Sequence, residues 1–227
     1  MPPKTVANAM HGKVFIITGS SSGIGRATAI LLASWGSRLT VHGRHVERVE
    51  ETAKECKKVS PSGQDACTVI GNIEDPEIRK QLIQMTLNTF GRIDGLVSSA
   101  GHCAVGGWEH EDVKAMKLML DVHVVAPYDL CRQMMPELIK NKGSIVMVSS
   151  IASLRGVPKL VANTTAKHAM DGMMKALAVE TAKQGVRINS VNPGIVKSNT
   201  HRCGALDEYQ KVCLCILGVA EGFTEES

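Results

Sequence analysis

Aromatic side chains are scarce in this sequence: three Phe, two Trp and two Tyr make up 3% of 227 residues. So few rings argue against an aromatic-studded β-sandwich and against a base-stacking nucleic-acid surface. Long apolar runs are missing too. None approaches the roughly 18 residues that span a bilayer, and residues 1–11, a flexible polar lead-in, lack the apolar centre of a signal peptide. Strong charge of either sign is also lacking. Lys and Arg number 26 against 22 Asp and Glu, a net charge of +4, too small and scattered to indicate a nucleic-acid partner. Seven cysteines, an odd number without an export signal, imply reduced thiols in an intracellular, cytoplasmic protein. Metal-ligand spacing is absent: Cys213 and Cys215 have no second pair or nearby His, and His42, His45 and His110 read as surface residues.

What is present is alternation. Short apolar runs at residues 13–18, 38–42, 67–70, 94–98, 144–149 and 186–191 read as strands. Amphipathic segments at 24–35, 46–59, from Pro76 onward, 112–138 and 161–184 lie between them. One crossover helix between successive strands predicts a six-stranded, parallel, doubly wound α/β sheet of Rossmann type. No repeat or linker interrupts residues 1–227, so they read as one domain.

Between the first strand and the first helix stands Thr18-Gly19-Ser20-Ser21-Ser22-Gly23-Ile24-Gly25. Gly19 permits a tight turn, Gly23 a close backbone approach to a pyrophosphate, and Gly25 close helix–strand packing. The helix N-terminus then offers free N–H groups to the phosphates. At the end of the second strand, His42-Gly43-Arg44 supplies no carboxylate for ribose hydroxyls, and its guanidinium suits a 2′-phosphate. NADP(H) is therefore favoured over NAD(H), the alternative being that Arg44 caps the next helix.

The spacing G-x-x-x-G-x-G resembles the classical short-chain dehydrogenase/reductase family, and the resemblance runs from residue 13 to residue 198. The family's Asn-Asn-Ala-Gly marker is matched by Ser98-Ser99-Ala100-Gly101. Its serine-bearing strand is matched by residues 143–150, and its Pro-Gly turn by Asn192-Pro193-Gly194. The resemblance implies a nicotinamide dinucleotide held at Thr18, Gly19, Ser21, Ser22, Gly23, Ile24 and Gly25, and again at Ser99, Ala100 and Gly101. It also implies contacts from Arg44, from Asn72 (at the family's adenine-binding Asp) and Ile73, and from Lys167 to the ribose. Pro193, Gly194, Ile195, Val196 and Ser198, with Thr200 as a near alternative to Ser198, would face the nicotinamide.

The family's chemistry resembles a relay of Asn, Ser, Tyr and Lys acting on a small-molecule carbonyl or alcohol. Ser150 and Lys167 occupy two of those positions with the family spacing. The tyrosine position is Asn163, whose carboxamide has no titratable proton near neutral pH. The asparagine position is His123. Tyr128 lies more than a turn beyond His123, and Tyr209 falls in the divergent tail. Two readings follow: an NADP(H)-linked oxidoreductase with impaired activity, or a non-catalytic relative that binds dinucleotide.

Against the family pattern, residues 199–227 are short and divergent. They offer one apolar helix at 207–219 and no seventh strand, which predicts an exposed sheet edge at the sixth strand. The Met170, Met173 and Met174 face is expected to serve core or dimer packing. The resemblance implies a homodimer through the two long helices at 116–135 and 161–184, rather than a tetramer.

Overall fold

The computed structural model describes residues 4–194 and residue 196. Six strands, β1 (Val14–Thr18), β2 (Arg38–Gly43), β3 (Cys67–Ile70), β4 (Gly95–Ser98), β5 (Ser144–Val148) and β6 (Arg187–Val191), pair in parallel in the order β3-β2-β1-β4-β5-β6. Seven α-helices are described: α1 (Lys4–Met10), α2 (Gly23–Ser34), α3 (Val46–Val59), α4 (Pro76–Phe90), α5 (Val113–Leu120), α6 (Ala126–Asn141) and α7 (Val161–Thr181).

A strand covered on both faces is apolar at every position, and β1 is buried throughout. Phe15 and Ile17 pack with Ala29 and Leu32 of α2 and Val49 of α3. Ile16 points the other way, into a larger core with Leu82 of α4, Leu130 and Met134 of α6, and Met170 of α7. Met173 and Met174 pack against that same core, so this methionine face serves the interior. Strand order reverses between β1 and β4, which opens a crevice at the carboxyl ends of those strands.

Two elements differ from the sequence expectation. The stretch before β1 contains helix α1, and Met10 packs against the core under α2 and α3. The single helix expected over 112–138 is split: α5 and α6 are joined by a π-helical turn, Asp121–Val125, with the Ala126 N–H bonded to the Asp121 carbonyl. Pro127 explains the split. It has no N–H for the His123 carbonyl four residues back, and its ring crowds that carbonyl, so the helix widens there. Among the described residues β6 ends the sheet, with Val191 46% exposed. The helix expected at 207–219 lies outside the described residues.

Asp94 fastens β1 to β4 at the opposite end from the crevice. Its buried carboxylate accepts the Val14 N–H at 3.0 Å and pairs with Arg92 at 2.6 Å and Lys13 at 3.2 Å. Burial alone would raise its pKa, but the hydrogen bonds from Arg92, Val14 and Lys13 together hold it below the ordinary value. Its stabilising contribution is therefore complete above the unfolded value near 3.8 and is lost as pH falls through the lower folded value. Replacing Asp94 by Ala should cost about 2–3 kcal/mol in urea unfolding at pH 7. The gap from wild type should narrow as the pH is taken below 4.

Candidate active site

The turn after β1 is built against the end of β4. Gly19 has φ of +67°, and a Cβ there would lie 2.6 Å from the Ala100 Cα. Only glycine satisfies both conditions. The Thr18 hydroxyl accepts the N–H groups of Ser99 and Ala100, both at 3.1 Å, and clamps the two loops together. Gly25 packs as tightly, since a Cβ there would meet the Gly19 carbonyl oxygen at 2.6 Å. At the N-terminus of α2, Ser22 adopts an extended backbone and its hydroxyl makes no capping bond. The first-turn amides of α2 have no partners within the helix and stand at the cleft wall formed by Ser22, Gly23 and Ile24.

That wall belongs to a cleft of about 520 Å³. Ser21 and Arg44 line one end, joined by His45 and Arg48; Ser99, Ala100 and Gly101 line the middle. Ser150, Asn163, Lys167, Pro193, Gly194 and Val196 line the other end together with His123. Ile73 and Glu74 form a side wall, held there by the buried Arg79, which donates to both of their carbonyls and pairs with Asp129 at 2.7 Å. A glycine cradle that a Cβ would fill, helix amides at its lip and cationic side chains at one end suit a dinucleotide. Thr18, Gly25 and Asn72 do not line the cleft: the first two shape its floor, and Asn72 is solvent-exposed beside Ile73. Ile195 and Ser198 lie outside the described residues.

His42 corrects the surface assignment. It is 2% exposed, its Nδ1 accepts the Gly19 N–H at 3.3 Å, and its Nε2 donates to the Gly71 carbonyl at 3.1 Å. It thus ties the phosphate turn to the end of β3. Burial, helped by the Arg44 charge and opposed by the Gly71 bond, pushes its pKa down to about 4. The sequence pattern pointed the other way: Arg38, Thr40 and His42 alternate with Leu39 and Val41, yet all but Arg38 are buried. Arg48 was missed because one helical turn separates it from Arg44 in sequence.

At the Ser150 end of the cleft, Asn163 and Lys167 project from the same face of α7, one turn apart. The Asn163 carboxamide makes no hydrogen bond among the described residues. Lys167 is 7% exposed, and its Nζ donates to the Val148 carbonyl at 2.9 Å. Burial, opposed by Asp171 and Cys103, pushes its pKa down to about 8. The Ser150 hydroxyl accepts the Ala152 N–H at 3.1 Å, opening a short 3-10 turn. Behind them Asp171 accepts from Ser153 at 2.6 Å and Asn192 at 2.7 Å, while the Ile151 N–H bonds the Pro193 carbonyl. The segments bearing Ser150, Lys167 and Pro193 are thereby locked together.

His123 sits in the π-helical turn, 1% exposed. Its Nε2 donates to the His102 carbonyl at 2.8 Å, and its buried Nδ1 is left without a partner. Burial and the neighbouring Lys167 charge push its pKa down to about 3. It is a neutral acceptor, not an acid, at ordinary pH. Tyr128, 48% exposed, does not line the cleft.

The comparisons with known proteins agree with this geometry. Residues 13–207 match the family model for short chain dehydrogenases, and the chain belongs to that family. A cyclohexanol dehydrogenase from an Acinetobacter species is 32% identical over 86% of this chain and 77% of its own length. L-sorbose reductase from Gluconobacter frateurii, solved with NADPH and L-sorbose, superposes with a TM-score of 0.79 at 28% identity, covering 83% of this chain and 72% of that one. A short chain dehydrogenase from Mycobacterium paratuberculosis, solved with NAD, shares the fold with a TM-score of 0.81 at 23% identity, covering 93% and 82%.

The two buried histidines make stability sensitive to acid. Each has a folded pKa below its unfolded value of 6.5, so the unfolded chain takes up protons first as pH falls. Stability should drop by up to about 1.4 kcal/mol per histidine for each pH unit below the unfolded value. Chemical denaturation at pH 7.5 and 5.5 measures this drop, and His123→Asn should remove about half of it.

Proposed function

We propose that this chain is an NADP(H)-linked oxidoreductase of slow turnover, acting on a small-molecule carbonyl or secondary alcohol. The observation that carries the proposal is the continuity of one cleft, from Arg44 and Arg48 at one end to Ser150 and Lys167 at the other. When bound, the nicotinamide supplies or accepts the hydride. Arg44, with Arg48 beside it, holds the 2′-phosphate that separates NADP(H) from NAD(H). Glu74, the one carboxylate among the described lining residues, belongs to the segment after β3 and not to the end of β2. The helix amides of α2 hold the pyrophosphate, and the Lys167 ammonium holds the ribose hydroxyls. The Ser150 hydroxyl and the Asn163 carboxamide donate hydrogen bonds to the substrate oxygen. Relatives named for cyclohexanol and L-sorbose support this substrate class.

Asn163 is what makes turnover slow, because a carboxamide cannot deliver the proton that a phenol delivers. A purely binding role would rest on that same substitution. The retained Ser150 and Lys167, locked into the cleft wall by backbone bonds, favour the catalytic reading. A homodimer through α6 and α7 completes the proposal, with Val125 and Tyr128 exposed beside that helix pair.

Fluorescence titration with NADPH and NADH tests the cofactor. Arg44→Ala should weaken NADPH at least tenfold and leave NADH within twofold; equal effects would assign Arg44 to the helix instead. Asn163→Tyr should raise the rate of carbonyl reduction by at least tenfold, toward the ~10²–10⁴-fold that a positioned acid contributes. An inert Asn163→Tyr variant that still binds NADPH would remove the catalytic reading.

A further inference from the structure

Among the described residues, the cleft end that lacks a phenol still contains a buried ammonium, that of Lys167. We propose that Lys167 is itself the proton donor to the substrate oxygen, with Asn163 and Ser150 holding that oxygen; this rests on the oxidoreductase reading above.

His102 also lines this end of the cleft and is the competing donor that the test below removes; the other described neighbours are excluded one by one. Asn163 and Ser150 are far too weak as acids. His123 has already committed its Nε2–H to the His102 carbonyl, and its Nδ1 carries a lone pair. The Cys103 thiol points at the Ala104 carbonyl, with sulfur and oxygen 3.9 Å apart. Lys167 carries three N–H groups and spends one on Val148, which leaves two for the cleft that it lines. Because it stands one turn beyond Asn163 on the same face, replacement of a long phenol by a short carboxamide opens the path between its ammonium and the substrate oxygen.

The charge environment matches the role. Among the described residues, the titratable side chains whose charges interact with the ammonium are His123 of the π-helical turn, Cys103 of the loop after β4 and Asp171 one turn further along α7. His123 is neutral, and Asp171 holds Ser153 and Asn192 on its Oδ2 while its buried Oδ1 has no hydrogen-bond partner among the described residues. Burial dominates and brings the ammonium to about 8, within reach of neutral solution. In the step itself, a reduced nicotinamide dinucleotide held in the cleft would supply the hydride, its C–H bond breaking as the new one forms and leaving it oxidised, while the carbonyl π pair moves to oxygen. A Lys167 N–H bond then breaks as the O–H bond forms, nitrogen keeps the electron pair, and the amine regains a proton from solvent.

Lys167→Arg is the decisive variant, since a guanidinium keeps the charge and the ribose contact but does not release a proton in this range. With NADPH and diacetyl, the wild-type rate should be level below about pH 8 and fall tenfold per unit above it. Lys167→Arg should bind NADPH within fivefold of wild type and reduce diacetyl at least 100-fold more slowly. A variant with more than a tenth of wild-type activity would overturn the proposal. So would a pH limb that survives in Lys167→Arg and disappears in Cys103→Ser or His102→Gln. A second readout needs neither turnover nor a folded variant. Competitive acetylation of the cofactor-free wild type, followed by peptide mass spectrometry, should show Lys167 reactivity rising with a midpoint near pH 8 and levelling off before pH 10. Reactivity still climbing at pH 10 would overturn the assignment. If the wild type binds NADPH without reducing diacetyl at any pH, this proposal alone fails. If it binds neither dinucleotide, the oxidoreductase reading fails first.

Discussion

The site depends on one close approach, the contact of Gly19 with the backbone at Ser99 and Ala100. Nothing larger than a hydrogen atom fits between the turn after β1 and the end of β4. Thr18 holds the two loops from below, and His42 holds the turn from the side of β2. Because β1 and β4 are the strands between which the sheet order reverses, this contact also sets the width of the crevice. Both walls of the crevice are built outward from it.

The Ser150 end of the cleft is supported by several separate bonds. Lys167 is anchored to β5 through Val148, Ser150 to its own turn through Ala152, and His123 to the loop after β4 through His102. Asp171, Ser153 and Asn192 tie the segments behind them. None of these bonds passes through the side chain of Asn163. A phenol can therefore be absent from this position while the surrounding wall keeps its shape, because no part of the wall was hung on it.

The sheet and its helices were legible because burial on two faces forces continuous apolar strands, and crossover helices force amphipathic segments; residues 14–18 and 46–59 show both patterns. The tight turn after β1 was legible because a positive φ and a 2.6 Å approach leave glycine alone at Gly19. His42 was misplaced because a histidine read by type is polar, whereas its neighbours in β2 are buried and backbone groups of Gly19 and Gly71 satisfy both ring nitrogens. The split of the long helix was missed because the amphipathic pattern from 112 to 138 runs on through Pro127, and a widened turn absorbs the proline without ending that pattern. Arg48 and Glu74 entered the cleft through tertiary placement, which no local spacing records.

The π-helical turn at Asp121–Val125 has a consequence for phase. One additional residue in a turn rotates everything beyond it by about 100° relative to a regular α-helix. α5 and α6 therefore follow two helical wheels that do not superpose, and His123 stands at the seam where one gives way to the other. Its inward direction is fixed by a count of residues, not by any affinity of an imidazole for the cleft. Removing a single residue from this turn would bring the two wheels into register and turn position 123 away from Lys167, whatever side chain it carried.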